Sequence, residues 1–499
     1  MLLFIIEIGR ILRLFRLGGS ALASLLAARL RGKRLTATNI APALRVFLER
    51  MGLTYVKLGQ FLATRNDLLP PEICDELGRL FQRVPPMSLP QVFAQLDRGL
   101  GRPHAELFAS FDPKPLGAAS VAQVHRAVTN DGRPVAVKVQ RPGVSRIFAA
   151  DMRILTRLAH VAAALGVEIG FDAPSAAREF AGFTARELDF RIEAATATRV
   201  RGQNDSRIFV PKVHPDLSSA TILTLDLIEG ESLSEIYERL DAGERPPRDL
   251  GVVANTLAQA MFRQMFVMGF FHGDPHPGNI MLDRHGRIAL VDFGIFGELS
   301  HQQLGDVTSY VRELASGDVG RAFDHYAAMT VQTSRSDPET FRREALEVLV
   351  AWRDASGDPH AAAGETQIAT VAARLLRVLR NSRIALKLDT LLFWRAVILL
   401  DANFSRNGID FDLNTALQEF FAGQTGGVDR QIAAKLMRLA AGPDLADLAW
   451  ASSGRLGRIL ARSARRARIA RTGDDQSVAV IVAALSLPII CLVCAVILY

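Results

Sequence analysis

The sequence predicts an α+β protein of more than one domain, with a membrane-spanning helix at its C-terminal end. Residues 111–139 contain short runs of alternating apolar and polar side chains, which is the pattern of β-strands. Residues from about 300 to 451 are mostly helical in composition, and residues 477–499 carry no formal side-chain charge. A chain of 499 residues exceeds the usual size of one domain.

The composition excludes two classes of protein. Hydrophobic residues make up 49% of the chain and charged residues 22%, so the chain can bury cores and is not disordered throughout. Three cysteines are too few for a small secreted scaffold held by disulfides.

The net charge of +7 is concentrated at the two ends of the chain. Residues 1–34 carry +6, and residues 455–471 contain seven arginines and no acid, whereas residues 35–454 sum to −4. Because the body of the protein offers no basic face, we expect no nucleic-acid partner.

Residues 477–499 predict a transmembrane helix. As an α-helix this segment would be about 35 Å long, enough to cross a hydrocarbon core of about 30 Å. The arginines that precede it indicate that its N-terminal end faces the cytoplasm. A buried core helix is the alternative interpretation.

The N-terminal segment predicts an amphipathic helix. Glu7, Arg10, Arg13 and Arg16 are spaced by three, which gives the helix a polar stripe. The arginines lie within or after the apolar stretch, whereas a signal peptide has its positive charge first. Two interpretations of this helix are compatible with the sequence: contact with a membrane interface, and docking on the protein's own core.

Between these ends, helical and strand-like patterns alternate. Residues 40–110 predict helices broken by prolines, and residues 121–140 predict a hairpin around an Asn-Asp-Gly turn. Residues 176–203 and 251–271 are helical in composition, and two short strands are expected within 280–293.

Two motifs in order predict a site for phosphoryl transfer. The segment HGDPHPGN places Asp274 five residues before Asn279, as in the kinase pattern HRDxxxxN, and Asp292 opens a DFG triplet after a short hairpin. The reaction needs a carboxylate for the acceptor and oxygen ligands for Mg²⁺, which these side chains would supply. A polar turn before a strand is the alternative for either motif alone.

Lys138 ends the run VAVK, which matches the strand lysine that pairs with ATP phosphates and with a helix glutamate. The glutamate should come from the helix predicted over 176–203. Glu179, Glu187 and Glu193 are the candidates, and a regular helix cannot direct all three to one site.

An alanine-rich loop stands where a protein kinase has a glycine-rich phosphate loop. The segment PLGAASVAQVH covers residues 115–125. Alanine resists positive φ and carries a Cβ, so this backbone should be less free to wrap phosphates.

With these motifs, the sequence resembles the UbiB family of atypical kinases, the ADCK-type proteins tied to ubiquinone biosynthesis, over roughly residues 40–300. Lys57-Leu58-Gly59-Gln60 matches the family's KxGQ motif, and Glu187-Leu188-Asp189 matches its ExD motif. The alanine-rich loop matches at residues 117–120, although Gly117 stands where alanine is common.

The resemblance implies a two-lobe, protein kinase-like fold with an N-terminal helical extension over the active site. It implies that Lys138 contacts ATP and pairs with Glu193, and that Asp274 is the catalytic acid. The remaining implied roles are nucleotide binding by the loop residues Ala118, Ala119 and Ser120, Mg²⁺ binding by Asn279 and Asp292, and occupation of the cleft by Lys57 and Gln60 near Glu187 and Asp189.

The expected divisions of the chain follow from the motifs and the charge pattern. They are a basic amphipathic segment, a helical KxGQ extension, an N-lobe, a helical C-lobe, a basic juxtamembrane segment and a transmembrane helix, at residues 1–34, 35–110, 111–230, 231–450, 451–476 and 477–499.

The resemblance implies an ATPase or kinase that supports ubiquinone biosynthesis at the bacterial inner membrane, with a single pass and a cytoplasmic kinase-like domain. Its implied cofactors are ATP and Mg²⁺. Its implied partners are membrane lipids and quinone precursors, with ubiquinone-pathway enzymes as further candidates. An aminoglycoside- or choline-type phosphotransferase and a non-catalytic, nucleotide-gated lipid-binding scaffold are the alternatives.

Overall fold

The computed structural model describes most of the chain up to residue 424. The described residues are 2–32, 36–63, 65, 69–81, 85–164, 173–203, 205–246, 248–332, 336–356, 368–404, 409 and 411–424. The predicted segments 451–476 and 477–499 lie outside them. Within the described part of the chain, no helix is both long enough and apolar enough to cross a membrane.

Five helices precede the first strand in the described N-terminal region. They are α1 (Leu2–Leu30), α2 (Ala37–Met51), α3 (Leu53–Ala63), α4 (Pro71–Gly78) and α5 (Leu89–Leu100). Prolines lie in the first turns of α4 and α5, where a missing backbone N–H costs nothing. The first four helices share one apolar core, which includes the buried Leu14, Leu48 and Leu77.

Four strands form an antiparallel sheet in the order β1-β2-β3-β5. They are β1 (Phe108–Ala118), β2 (Ala122–Thr129), β3 (Pro134–Gln140) and β5 (Ile222–Asp226); β4 (Ile208–Phe209) belongs to another sheet. Pairing of His125 with Val137 confirms the hairpin predicted around the Asn-Asp-Gly turn.

Three helices lie between β3 and β4 in the chain: α6 (Val144–Ala164), α7 (Ala173–Leu188) and α8 (Phe190–Arg201). The prediction of one helix over 176–203 is wrong, because the helix is interrupted at Asp189. This residue has an extended backbone, and its carboxylate accepts a hydrogen bond from the Arg191 N–H at 3.1 Å, which caps α8.

The following segment contains short strands and two helices. The strands are β6 (Gly230–Ser232), β7 (Phe270–His272), β8 (Ile280–Asp283), β9 (Ile288–Leu290) and β10 (Phe296–Glu298), and the helices are α9 (Leu233–Asp241) and α10 (Leu250–Phe262). One sheet has the order β4-β9-β8-β6, and β7 pairs with β10. A π-helical turn, Arg263–Met268, connects α10 to β7.

Helices dominate the rest of the described chain, as predicted. They are α11 (His301–Ala315), α12 (Val319–Ala328), α13 (Pro338–Ser356), α14 (Ile368–Asn381), α15 (Leu388–Phe404) and α16 (Leu413–Gln424). Two short strands, β11 (Thr330–Val331) and β12 (Ala385–Leu386), pair with each other. A second compact unit begins at Thr415, and its described part is the continuation of α16.

Helix α1 turns part of its polar stripe toward the protein. The Arg10 Nε lies 2.7 Å from Oδ1 of Asp151, and Glu7 lies 3.0 Å from Arg153; both partners are on α6. Docking of this helix on the protein's own core is therefore confirmed. Its outward side carries exposed apolar side chains, namely Phe4, Ile5, Ile8, Leu12 and Leu26.

Candidate active site

Lys138 lies on β3, a strand with a hydrogen-bonded neighbour on each side. It is in register with Val124 on β2 and with Leu223 on β5. Val137 and Val139 are fully buried, and because side chains alternate along a strand, Lys138 projects from the opposite face of the sheet. The sheet therefore holds the base of this side chain rigidly.

Glu193 is the carboxylate that pairs with Lys138. The Lys138 Nζ lies 2.8 Å from each carboxylate oxygen of Glu193. Glu193 is in the first turn of α8, where the helix dipole favours a negative charge. The other two candidate glutamates pair elsewhere: Glu179 with Arg65 at 2.8 Å, and Glu187 with a lysine of α3 at 2.8 Å.

Asp292 is the third charged group at this position. Its Oδ2 lies 3.9 Å from the Lys138 Nζ, and its Oδ1 accepts a hydrogen bond from the Gly294 N–H at 2.9 Å. Partial removal from water opposes the charged forms of Lys138 and Asp292. Asp292 and Glu193 nevertheless raise the pKa of Lys138, and Lys138 with the Gly294 N–H lowers the pKa of Asp292.

At Glu193, unlike at Asp292, the effect of burial on the pKa is larger than the effect of the neighbouring ammonium. Burial raises the pKa of Glu193, and the neighbouring Lys138 offsets this rise only in part. The cluster thus contains one ammonium and two carboxylates, one of which binds a proton more readily than usual.

Asp274 follows β7, and its loop is held by hydrogen bonds on both sides. The Asp274 N–H donates to Nδ1 of His272 at 3.1 Å, and burial lowers the pKa of this histidine, which favours the neutral imidazole. The Asn279 side-chain amide donates to the Asp274 carbonyl at 3.1 Å. Pairing of β7 with β10 places His272 opposite Phe296, so the loop lies beside the segment that contains Asp292.

Arg395 also contacts Asp274, which no sequence pattern had indicated. Its Nη2 donates to Oδ1 of Asp274 at 3.0 Å. The two residues are 121 positions apart. The sequence contains no local signal for this contact, because Arg395 is a single basic residue within an otherwise apolar stretch of α15.

The alanine-rich loop forms a tight turn between β1 and β2. The Ala119 N–H donates to the Ala122 carbonyl at 2.8 Å, and Ala118 and Ser120 flank it. The Arg141 guanidinium donates to the carbonyls of Ala119 at 3.0 Å and of Pro85 at 2.8 Å. The turn is therefore tied to the segment that precedes α5 in the N-terminal helical region.

Gly117 differs from the alanine that is common in the family, and the structure provides room for either residue. Its φ is not positive, and a Cβ at this position would meet no atom within 4 Å. The departure from the family motif therefore has no steric cause.

The KxGQ and ExD motifs, which were expected to lie near each other, are in contact through Lys57 and Glu187. The Lys57 Nζ lies 2.8 Å from Oε2 of Glu187, and both side chains are mostly buried. Gln60 instead donates to the Leu80 carbonyl at 3.4 Å, and Asp189 caps α8. Lys57 lies near enough to Asp292 to help lower its pKa.

Gly59 of the KxGQ motif has a packing role that the sequence analysis missed. A Cβ at Gly59 would lie 2.2 Å from Cδ1 of Leu80 and 3.0 Å from Cδ1 of Leu48. Glycine thus lets helix α3 pack closely on these two leucines, and a larger residue would require their side chains to shift.

A lysine on a central strand, its glutamate on a helix, and two aspartates beside a pair of short strands together define a protein kinase-like α+β domain. The sequence model of the ABC1 atypical kinase-like domain matches residues 79–325. The chain belongs to the UbiB family of ABC1-type atypical kinases.

Several relatives are identical to this chain at about a third of the aligned positions. The uncharacterized protein slr0889 of Synechocystis sp. is 33% identical, over 58% of this chain and 72% of its own length. The probable protein kinase UbiB of Marinobacter nauticus is 33% identical, over 60% and 54%. ACTIVITY OF BC1 COMPLEX KINASE 7, a chloroplastic protein of Arabidopsis thaliana, is 36% identical, over 51% and 36%.

The match therefore spans about half or less of the length of the last two relatives. A solved structure, that of the Rv3197–erythromycin complex from Mycobacterium tuberculosis, is 26% identical. The match to it covers 69% of this chain and 90% of that chain, with a TM-score of 0.43.

Replacement of Lys138 with methionine should lower the free energy of unfolding by an amount that increases with pH. Without the ammonium, the pKa of Glu193 rises further above its unfolded value of about 4.3. Such a carboxyl contributes stability below the unfolded pKa, and this contribution is lost as the pH rises through the folded pKa. The pKa of Asp292 also rises without the ammonium, and this too lowers the stability of the variant more near pH 7 than near pH 4. We expect Lys138→Met to cost about 3 kcal/mol near pH 7 and less near pH 4.

Thermal denaturation of the variant and the wild type across this pH range measures the effect. Lys212→Met is the matched control, because Lys212 is exposed. A loss of stability in Lys138→Met that is equal at every pH would contradict the assigned charge cluster.

Proposed function

We propose that this protein is an atypical kinase or ATPase that binds Mg-ATP. The observation that carries the proposal is the contact of Lys138 with both oxygens of Glu193, beside Asp292. An ammonium neutralised in this way is held at a defined position, from which it can bind the phosphates of a nucleotide. The alanine-rich turn at Ala118, Ala119 and Ser120 would cover those phosphates.

The side chains at the site fit a magnesium ion bound with the nucleotide. The Asn279 amide nitrogen is used by the Asp274 carbonyl, so its oxygen is the atom left for a cation. The Asp292 side chain is 45% exposed, and oxygen ligands of this kind suit Mg²⁺. When bound, the ion would neutralise charge on the phosphate oxygens.

Asp274 would orient the acceptor of the phosphoryl group and accept its proton. The ion pair of Lys57 with Glu187 fills space beside this site, and Gln60 and Asp189 lie on the same two motifs. We propose that these residues disfavour a protein substrate, so that water or a small molecule is the acceptor.

We further propose a role in ubiquinone biosynthesis, with quinone precursors and pathway enzymes as partners. The name of the Marinobacter relative, a probable protein kinase UbiB, supports this role. The proposed boundaries of the segments and lobes are those expected from the sequence.

The proposed location is the inner membrane of a bacterium, with the kinase-like domain in the cytoplasm. Two features support it: the uncharged stretch 477–499 and the outward face of α1. On that face, Phe4 and Leu12 are 65% and 64% exposed, and Arg13 and Arg16 are exposed beside them. An apolar stripe with neighbouring arginines suits an anionic lipid surface.

Two alternatives are less well supported. An aminoglycoside- or choline-type phosphotransferase would share the HGDPHPGN loop, but the buried contact of Lys57 with Glu187 and the alanine-rich turn argue against it. A non-catalytic lipid-binding scaffold would not require Asp274, Asn279 and Asp292 all to be present.

Asp292→Asn should abolish stabilisation by Mg-ATP, whereas Asp274→Asn should retain it and lose ATP turnover. At a nucleotide concentration of 100 times Kd, the wild type gains about 2.7 kcal/mol. Thermal-shift and ADP-release assays measure the two effects. Asp354→Asn, at an exposed position on α13, should behave like the wild type. A wild-type shift in Asp292→Asn would refute the site assignment.

Cells that lack this chain should contain less ubiquinone, since we propose that it supports the pathway. Wild-type protein should restore the quinone content, and Asp274→Asn should not, which extraction and quantification of quinones would measure. Normal quinone without the chain would refute the pathway role. Restoration by Asp274→Asn would favour the scaffold.

Membrane association should depend on both ends of the chain. We expect deletion of 477–499 alone, or Ile8→Glu with Leu12→Glu alone, to leave part of the protein on membranes, and the combination to release it. Fractionation of cells measures this distribution. Ser20→Glu with Ser24→Glu adds the same charge on another side of α1 and is the control. Full release of the protein from membranes by the control pair, as by the pair at Ile8 and Leu12, would contradict a specific role for the apolar stripe.

A further inference from the structure

Helix α15 holds the loop around Asp274 at two points. Arg395 donates to Oδ1 of Asp274 at 3.0 Å, and the Asn403 side-chain amide donates to the Pro275 carbonyl at 2.7 Å. The two residues are eight positions apart, about two helical turns, so both can project toward the same loop. One contact is to the side chain and the other to the backbone that follows it.

Packing fixes α15 against the strand that leads into this loop. Phe393, on α15, is fully buried, and its ring lies 5.7 Å from that of Phe271 on β7 and 5.5 Å from that of Phe266. Both pairs are nearly perpendicular, an arrangement that favours aromatic contact. Arg395 is two residues further along the same helix. Its backbone is therefore held at a fixed position relative to Asp274.

The contact between Arg395 and Asp274 is shielded from water. Their side chains are 18% and 14% exposed. A guanidinium keeps its charge at all physiological pH values and donates in a fixed planar geometry, so it can lock a carboxylate in one rotation. With Oδ1 held by Arg395, Oδ2 is the oxygen left to meet the acceptor of a phosphoryl group.

We propose that Arg395 is a positioning residue, which orients the Asp274 carboxylate for reaction. The inference rests on the function proposed above. Arg395 and Asn403 lie beyond residues 79–325, where the family model matches, so the working site extends into the C-terminal helices. Arg395 acts through Asp274 and is not assigned a contact with the nucleotide.

The kinetic test compares Arg395→Gln and Arg395→Lys with the wild type in the full-length protein. Arg395→Gln should lower kcat for Mg-ATP hydrolysis about 100-fold, since a misplaced catalytic group costs on this order, with KM changed less than about threefold. The kcat of Arg395→Lys should lie between those of Arg395→Gln and the wild type, because lysine keeps the charge and loses the planar geometry. Arg353→Gln, an exposed arginine on α13, should match the wild type.

Nucleotide-induced thermal shifts serve as the check on folding and binding. Arg395→Gln should retain the shift with Mg-ATP, which separates a positioning role from a loss of structure. If this variant does not fold, Arg395→Lys decides: a wild-type kcat in a folded Arg395→Lys protein would overturn the proposal.

A double-mutant cycle tests whether Arg395 acts through Asp274. In an Asp274→Asn background, assayed at high enzyme concentration, Arg395→Gln should cause no further loss of kcat. An additive loss would show that Arg395 acts on the phosphates directly, and a faster Arg395→Gln enzyme would show that it restrains Asp274; either result overturns the proposal. Wild-type turnover in Asp274→Asn alone would instead overturn the proposed function.

Discussion

The ion pair between Lys138 and Glu193 joins the two elements on which the site depends, the central strand β3 and the helix α8. Each group would be costly to bury alone, and their contact at 2.8 Å on both carboxylate oxygens compensates for part of that cost. Because β3 is paired on both sides, the position of α8 is set by the sheet. Asp292 then meets the same ammonium at 3.9 Å and completes the cluster.

The interruption of the helix at Asp189 makes this arrangement possible. On one continuous helix the directions of Glu187 and Glu193 would be fixed relative to each other by the helical period, whereas the break lets each be set separately. With Asp189 capping α8, Glu187 ends α7 facing Lys57, and Glu193 begins a new helix facing Lys138. The break at Asp189 thus separates the carboxylate that pairs with the N-terminal extension from the one that pairs with Lys138.

The N-terminal helices are attached to the kinase-like domain by charged contacts as well as by apolar packing. Arg10 reaches the fully buried Asp151 on α6, and Arg65 reaches Glu179 on α7. Arg141 joins the alanine-rich turn to the Pro85 carbonyl. Of these contacts, the one between Arg65 and Glu179 holds the extension to α7, the helix that ends in the ExD motif, which is consistent with the closeness of Lys57 to the site.

The sequence alone determined the parts of this protein that depend on local order. Short-range patterns mark the hairpin that contains Lys138, the loop from Asp274 to Asn279 and the triplet at Asp292, and the family follows from their order. Residue spacing alone left open which glutamate pairs with Lys138, because it did not show the break at Asp189; the family resemblance implied Glu193, and the structure shows this pair. That break depends on one capping side chain in a stretch of uniformly helical composition.

Only the tertiary structure decided the contacts between distant segments. Arg395 meets Asp274 across 121 residues, and neither residue type nor spacing indicates this contact. Likewise, Glu7 and Arg10 repeat at a helical spacing that suits either solvent or a buried partner. Periodicity specifies which side chains share a face of a helix. The partner of that face depends on how the whole chain packs, so both contacts are visible only in the tertiary structure.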